Sequence, residues 1–197
     1  MDLQPTSPIH HILISGPTGT GKSTVAAALA DRYGWAYLEG DGFHPAANVE
    51  KMRGGQPLTD SDRLPWLRLI REEMNRRSAL HETTVVACSA LRRKHRDLLR
   101  NGPGGAYIIQ LVSDEATLNQ RVGDREHHFM PPSLVHSQVA GLELLESDEP
   151  GITVSVNVPV AAVVHHVEQA LIAAGVMFKR EKTARCDVHG RCCVNRV

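Results

Sequence analysis

The run "HHILIS" (10–15) passes directly into "GPTGTGKST" (16–24), and that into "VAAALADRYG" (25–34). A short apolar run ending at a glycine fits a buried strand. An alanine- and leucine-rich run fits a helix, and Gly34 supplies its left-handed stop. Between them, Gly16 to Ser23 matches G-x-x-x-x-G-K-S/T at every fixed position. In that arrangement the backbone amides of Gly19, Thr20 and Gly21 turn inward around phosphate oxygens, and the helix amino end adds positive potential. Lys22 is placed to reach the β- and γ-phosphates and Ser23 to offer its hydroxyl to Mg²⁺, with Pro17, Thr18 and Thr24 completing the binding run. The competing reading, a glycine-rich turn that merely caps a helix, fits poorly with strand, loop and helix all in order. The expected ligands are ATP and Mg²⁺.

The rest of the chain repeats the alternation. Further strands are expected at 35–41, 83–91, 106–112 and 152–157, with helices at 64–80, 92–100, 114–125 and 159–175. Pro65 is expected in the first turn of its helix and Asn157 as a possible cap of the last. The stretch 42–61 has no sustained period and reads as a functional excursion. Strands alternating with helices imply an α/β fold, a parallel sheet of about five strands covered on both faces. A chain of 197 residues with 42% apolar content supports a single core. The expected organisation is a flexible segment 1–9, one phosphate-loop domain over 10–175 with a lid near 121–145, and a disordered extension over 176–197.

Charge and cysteine content exclude several classes. With 22 basic and 22 acidic residues, the chain has no bulk charge with which to coat nucleic acid or anionic membrane. No apolar stretch is long enough to cross a bilayer, and "MDLQPTSPIHH" lacks a secretory pattern. Four cysteines in a chain of this length do not make a disulfide scaffold, so a cytoplasmic protein is expected.

In an open parallel sheet the ligand lies at the carboxyl ends of the strands. Asp41, just past the second strand, is the candidate base for an acceptor hydroxyl; its rival role is a water-mediated contact to Mg²⁺, which Glu39 also has the position to make. His44, Lys51, Arg53, Asp60, Asp62 and Arg63 crowd the following excursion, a density that suits a polar acceptor. Arg92 and Arg93 follow the third strand, where an anionic substrate would sit. Arg121 and Arg125, spaced i, i+4, are placed to face one phosphate and are assigned to catalysis with Lys22. His127 and His128 have no further ligand at a suitable spacing and are read as ordinary surface residues. The third strand ends "VVACSA" with no aspartate to support Mg²⁺, which weakens a motor or ATPase reading.

The blocks "GPTGTGKST", "GDGFHPAANVEKMRGGQPLTDSDRLPWL", "VVACSALRRKHRDLLR", "REHHFMPPSLVHSQ" and then "LE" occur in order. With them the chain resembles the gluconokinase family of small phosphate-loop kinases. The resemblance implies a P-loop NTPase fold of the nucleoside-monophosphate-kinase type, usually a homodimer, that uses Mg·ATP to convert gluconate to 6-phosphogluconate. It implies that His44, Arg63 and the Arg92–Arg93 pair meet gluconate, that Asp41 stands at the family's acidic position, and that Arg121 and Arg125 flank the lid; Arg53, from the crowded excursion, is expected to join Asp41 and these residues in binding the substrate. The family often has Asp where Glu39 stands and lysines where Arg92 and Arg93 stand, and Val139 and Ala140 replace its usual aromatic and acidic pair. The tail "CDVHGRCC" has metal-like spacing, but a disordered basic tail is the simpler reading. Two rivals stand beside this: a kinase for another small acid or a nucleotide, and a nucleotide-sensing protein without transfer activity.

Overall fold

The computed structural model describes residues 9–123 and 133–176. Five strands, β1 (His11–Ser15), β2 (Ala36–Glu39), β3 (Thr84–Ala87), β4 (Tyr107–Val112) and β5 (Gly151–Ser155), form one sheet in the order β2-β3-β1-β4-β5. Every pairing is parallel, with Leu13 opposite Val86 on one side and Ile108 on the other. β1 is therefore central and buried throughout, which is why it is apolar without alternation.

Successive side chains of these strands enter two separate cores. Ile12, Ile14, Val85 and Ile109 pack against α1 (Lys22–Tyr33) and α7 (Val160–Ala173), through Val25, Leu29, Val163 and Val167. Leu13, Val86, Cys88 and Ile108 pack against α3 (Asp60–Ala79) and α4 (Arg93–Arg100), through Trp66, Leu67, Ile70, Met74 and Leu99. Two cores on one sheet fix the height of each strand end, and so of each functional loop.

The expected strands and helices are present, with shorter strands than the apolar runs implied. Three differences have clear causes. The excursion 42–61 is not irregular: after a 3-10 turn (Gly40–Phe43), α2 (Ala46–Arg53) follows Pro45. It buries only Asn48 and Met52, too thin an apolar face to show as a period. α3 starts at Asp60 rather than near 64, because Thr59 and Asp62 form a reciprocal capping box. Pro65 therefore lies inside the helix rather than at its start. Asn157 does not cap α7; its carboxamide engages Ser113 and Asp114 across the ends of β4 and β5.

α5 (Glu115–Gly123) is capped by Asp114, which accepts from the Thr117 amide at 2.8 Å. α6 (Ser133–Ala140) packs on α5 through Val135. The following strap is tied down by a fully buried ion pair: the Arg96 guanidinium donates to both carboxylate oxygens of Glu149 at 2.7 Å and to the Glu143 carbonyl at 2.8 Å. Among the described residues, no helix is long and apolar enough to cross a membrane. The segment 1–8, Arg125, His127, His128 and the cysteines of the tail lie outside the described residues.

Candidate active site

The loop after β1 is wound by three glycines with positive φ: Gly16 at 135°, Gly19 at 85° and Gly21 at 82°. Other residues adopt such angles only with strain. At Gly16 a Cβ would also lie 2.3 Å from the Leu111 carbonyl oxygen. The Pro17 carbonyl closes the loop by accepting from the Thr20 hydroxyl at 2.8 Å and from Lys22 Nζ at 3.0 Å. Gly21 is the N-cap of α1, so the helix amino end opens onto the loop. Gly19, Gly21, Lys22, Ser23 and Thr24 form one wall of a cleft of about 360 Å³. A glycine cradle with a lysine at a helix amino end has the form and charge for a triphosphate.

Asp41 lies in the opposite wall, on the 3-10 turn after β2. Glu39 caps that turn, accepting from the Asp41 amide at 3.5 Å and from the Tyr37 hydroxyl. Burial and the Glu39 carboxylate push the Tyr37 phenol well above its usual range, which keeps it a donor. His44 completes the wall. Its ring lies flat on Trp66, centroids 3.9 Å apart and planes 18° from parallel, and its Nδ1 meets Asn48 Nδ2 at 3.4 Å. Burial, with the positive charge of Arg63, lowers the His44 pKa from 6.5 to about 4, so the ring is neutral at physiological pH.

Arg63, from the first turns of α3, reaches the same cleft; its guanidinium donates to the Leu58 carbonyl at 2.5 Å, and desolvation lowers its pKa. A smaller cavity of about 70 Å³ adjoins it, lined by Arg63, Arg92, Leu58 and Ser137. Arg92 is held there by Asp60 at 2.9 Å, which also takes Lys94 at 2.6 Å and His95 at 3.1 Å. The three partners keep the Asp60 carboxyl down at about 2.

The structure does not bring Arg53 or Arg93 to this cleft. Arg53 is exposed at the end of α2. Arg93 is drawn to the strap instead, where its guanidinium binds Glu146 at 2.6 Å and Asp148 at 2.8 Å. Lys51 is likewise committed, to Asp62 at 2.6 Å. Arg121 is placed beside the loop but not over the cleft. It donates to the Val156 carbonyl at 2.9 Å and lines a second, largely apolar cavity of about 270 Å³ with Thr20, Gly21, Val25, Val158 and Pro159.

Several lining groups escaped the sequence reading. Trp66 was not singled out, yet its indole nitrogen donates to the Gly40 carbonyl at 2.7 Å and its ring carries His44. Leu134, Ser137 and Gln138 of α6 roof the cleft, and Gln138 Oε1 accepts from the Thr18 amide at 2.8 Å. The sequence marked them only collectively, within the expected lid near 121–145 and the block "REHHFMPPSLVHSQ".

For a metal, the cleft offers the Ser23 hydroxyl and the Asp41 carboxylate among its lining groups. Among the described residues, no group of three or more His, Cys, Asp or Glu is arranged to hold an ion. A few hard oxygen donors beside a phosphate cradle suit Mg²⁺, which takes most of its ligands from phosphate and water.

A family described as an AAA domain matches residues 12–145. The chain is similar to a gluconokinase of Gluconobacter oxydans (strain 621H), 46% identical over 144 residues, covering 73% of this chain and 81% of the relative. Among solved structures it is similar to a sugar kinase from Janibacter sp. HTCC2649, 40% identical with a TM-score of 0.80, covering 87% of this chain and 100% of that one. It is also similar to a gluconokinase from Sinorhizobium meliloti 1021, 39% identical with a TM-score of 0.75, covering 85% and 94%. A parallel sheet with a phosphate cradle, an acidic turn two strands away and this degree of likeness lead to one assignment: the chain belongs to the gluconokinase family.

Proposed function

We propose that the protein transfers the γ-phosphoryl group of Mg·ATP to the terminal hydroxyl of D-gluconate, giving ADP and 6-phospho-D-gluconate. The observation that carries this is a single cleft in which the phosphate cradle and Lys22 face Asp41, His44 and Arg63. One wall suits an anionic donor, and the other a polyhydroxylated acid.

Asp41 accepts the proton of the attacking hydroxyl as its oxygen bonds to the γ-phosphorus and the bridge to the β-phosphate breaks toward ADP. Glu39 and Trp66 brace the turn that carries Asp41, from its amide and from the preceding carbonyl. Neutral His44 exchanges hydrogen bonds with the polyol without adding charge beside the base. Arg63 and Arg92 receive the carboxylate at the far end, where two guanidiniums adjoin one small cavity. Lys22 and the amides of the loop neutralise charge on the transferring group. Ser23, with support from Asp41, would hold Mg²⁺, which would supply positive charge to offset that of the phosphates. The apolar cavity beside Gly21 suits the nucleobase, with Arg121 along one edge. The same reading extends, on the resemblance alone, to a homodimer working in the cytoplasm.

The test is ADP release with purified protein, ATP and Mg²⁺, comparing D-gluconate with its epimers, shikimate and nucleoside monophosphates. Gluconate is expected to give the highest kcat/KM. A nucleotide or shikimate preference, or ATP binding with no transfer to any sugar acid, would overturn the assignment.

A further inference from the structure

Three parts of the site meet on one short helix. Leu134 of α6 packs with Met52 and Leu58, which line the acceptor half of the cleft. Val135 packs with Leu118 and Val122 of α5, and a Cβ on Gly19 of the phosphate loop would meet that same pair at 3.1 Å. Gln138 reaches the loop directly, accepting from the Thr18 amide at 2.8 Å across 120 residues of sequence. Ser137, one residue before, lines both the main cleft and the small cavity with Arg63 and Arg92.

We infer that Gln138 is a positioning residue that couples occupancy of the acceptor site to the conformation of the phosphate loop. The inference rests on the kinase reading above. Thr18 is buried, and a buried amide needs an acceptor. Here that acceptor belongs to a helix that also packs on the acceptor wall through Leu134 and on α5 through Val135. An acceptor molecule seated between Arg63 and Ser137 settles α6, and with it the Thr18 amide and the turn through Gly19. Because the two ligands act on one element, each strengthens binding of the other by the same factor. The residue type suits this role. Glutamine offers the carbonyl without charge, whereas glutamate would accept the same hydrogen bond but place a negative charge beside the phosphates.

The experiment is calorimetric binding of the Mg²⁺ complex of an imido-bridged ATP analogue to the full chain, with and without saturating D-gluconate, for wild type, Gln138→Ala and Gln138→Glu. Steady-state kcat and KM are measured alongside. In wild type, gluconate is expected to tighten the analogue at least about fivefold. In Gln138→Ala that ratio is expected to fall to about one, with kcat about tenfold lower and the thermal midpoint little changed. In Gln138→Glu the analogue is expected to bind more weakly with or without gluconate. A wild-type ratio near one, or a folded Gln138→Ala protein that keeps the wild-type ratio, overturns the inference while leaving the kinase reading intact. Wild-type protein that transfers nothing to gluconate fails that reading instead.

Discussion

His44 lies flat on Trp66, ring centroids 3.9 Å apart, while the same indole donates to the carbonyl of Gly40, the residue before Asp41. One buried side chain thus supports both the neutral histidine of the acceptor wall and the turn that presents the proposed base. In Trp66→Phe the ring remains for His44, but the buried Gly40 carbonyl loses its donor. That change is expected to cost about 1–3 kcal/mol of stability and to lower kcat more than it raises KM for ATP. Urea denaturation and steady-state kinetics check it; an unchanged midpoint and kcat would show that the indole braces nothing.

Two buried histidines set a pH dependence. The pKa values of His11 and His44 are lowered from 6.5 to about 4, first by burial and then by Arg71 and Arg63 respectively. The folded state holds both rings neutral, so the unfolded chain takes up protons first as pH falls. Their contribution is complete above pH 6.5 and is lost progressively toward pH 4. Between pH 7 and 5 the loss is expected to be on the order of 1–2 kcal/mol per histidine. The Asp60 and Glu73 carboxyls, held at about 2 by their cationic neighbours, stay ionised across that range and add their own loss only in stronger acid. Urea midpoints at pH 7.5 and 5.0 test this; equal midpoints would contradict it.

Arg92 and Arg93 are neighbours with opposite fates. Arg92 lines the cavity shared with Arg63, whereas Arg93 is spent on Glu146 and Asp148. Arg92→Ala is expected to raise KM for gluconate about tenfold, the loss of one hydrogen bond to a charged group. Arg93→Ala is expected to leave that KM within about twofold. Saturation curves in gluconate at fixed ATP decide the matter, and equal effects of the two substitutions would remove Arg92 from the acceptor site.

The strap that follows α6 depends on a fully buried charge pair. Glu149→Ala strands the Arg96 guanidinium and is expected to cost about 3–5 kcal/mol. An apolar pair, Arg96→Met with Glu149→Leu, is expected to recover most of it. Denaturant midpoints measure both; a mild effect of Glu149→Ala would mean that water reaches Arg96.

The legibility of this chain varied with the kind of signal. Strand, glycine loop and helix from His11 to Tyr33 were readable because periodicity, the Gly-Lys-Ser spacing and the Gly34 stop all agree. Asp41 was readable from its place at a strand end. α2 was not, since a short helix burying two residues leaves no apolar stripe. The separation of Arg92 from Arg93 was equally hidden, because it depends on Glu146 and Asp148, more than 50 residues away. Gln138 escaped for the same reason: its partner, the Thr18 amide, is a backbone group 120 residues distant. Local chemistry shows in a sequence; which long side chain answers which distant partner is decided by packing.

The most direct test of the account is the turnover of Asp41→Asn with ATP and D-gluconate across a range of Mg²⁺ concentrations. Asparagine keeps the shape of the turn but accepts no proton, so kcat is expected to stay at least ~100-fold lower even at saturating Mg²⁺, with ATP-analogue affinity unchanged. A folded Asp41→Asn protein with kcat near wild type, or one restored by excess Mg²⁺, would contradict the assignment of Asp41 as the base.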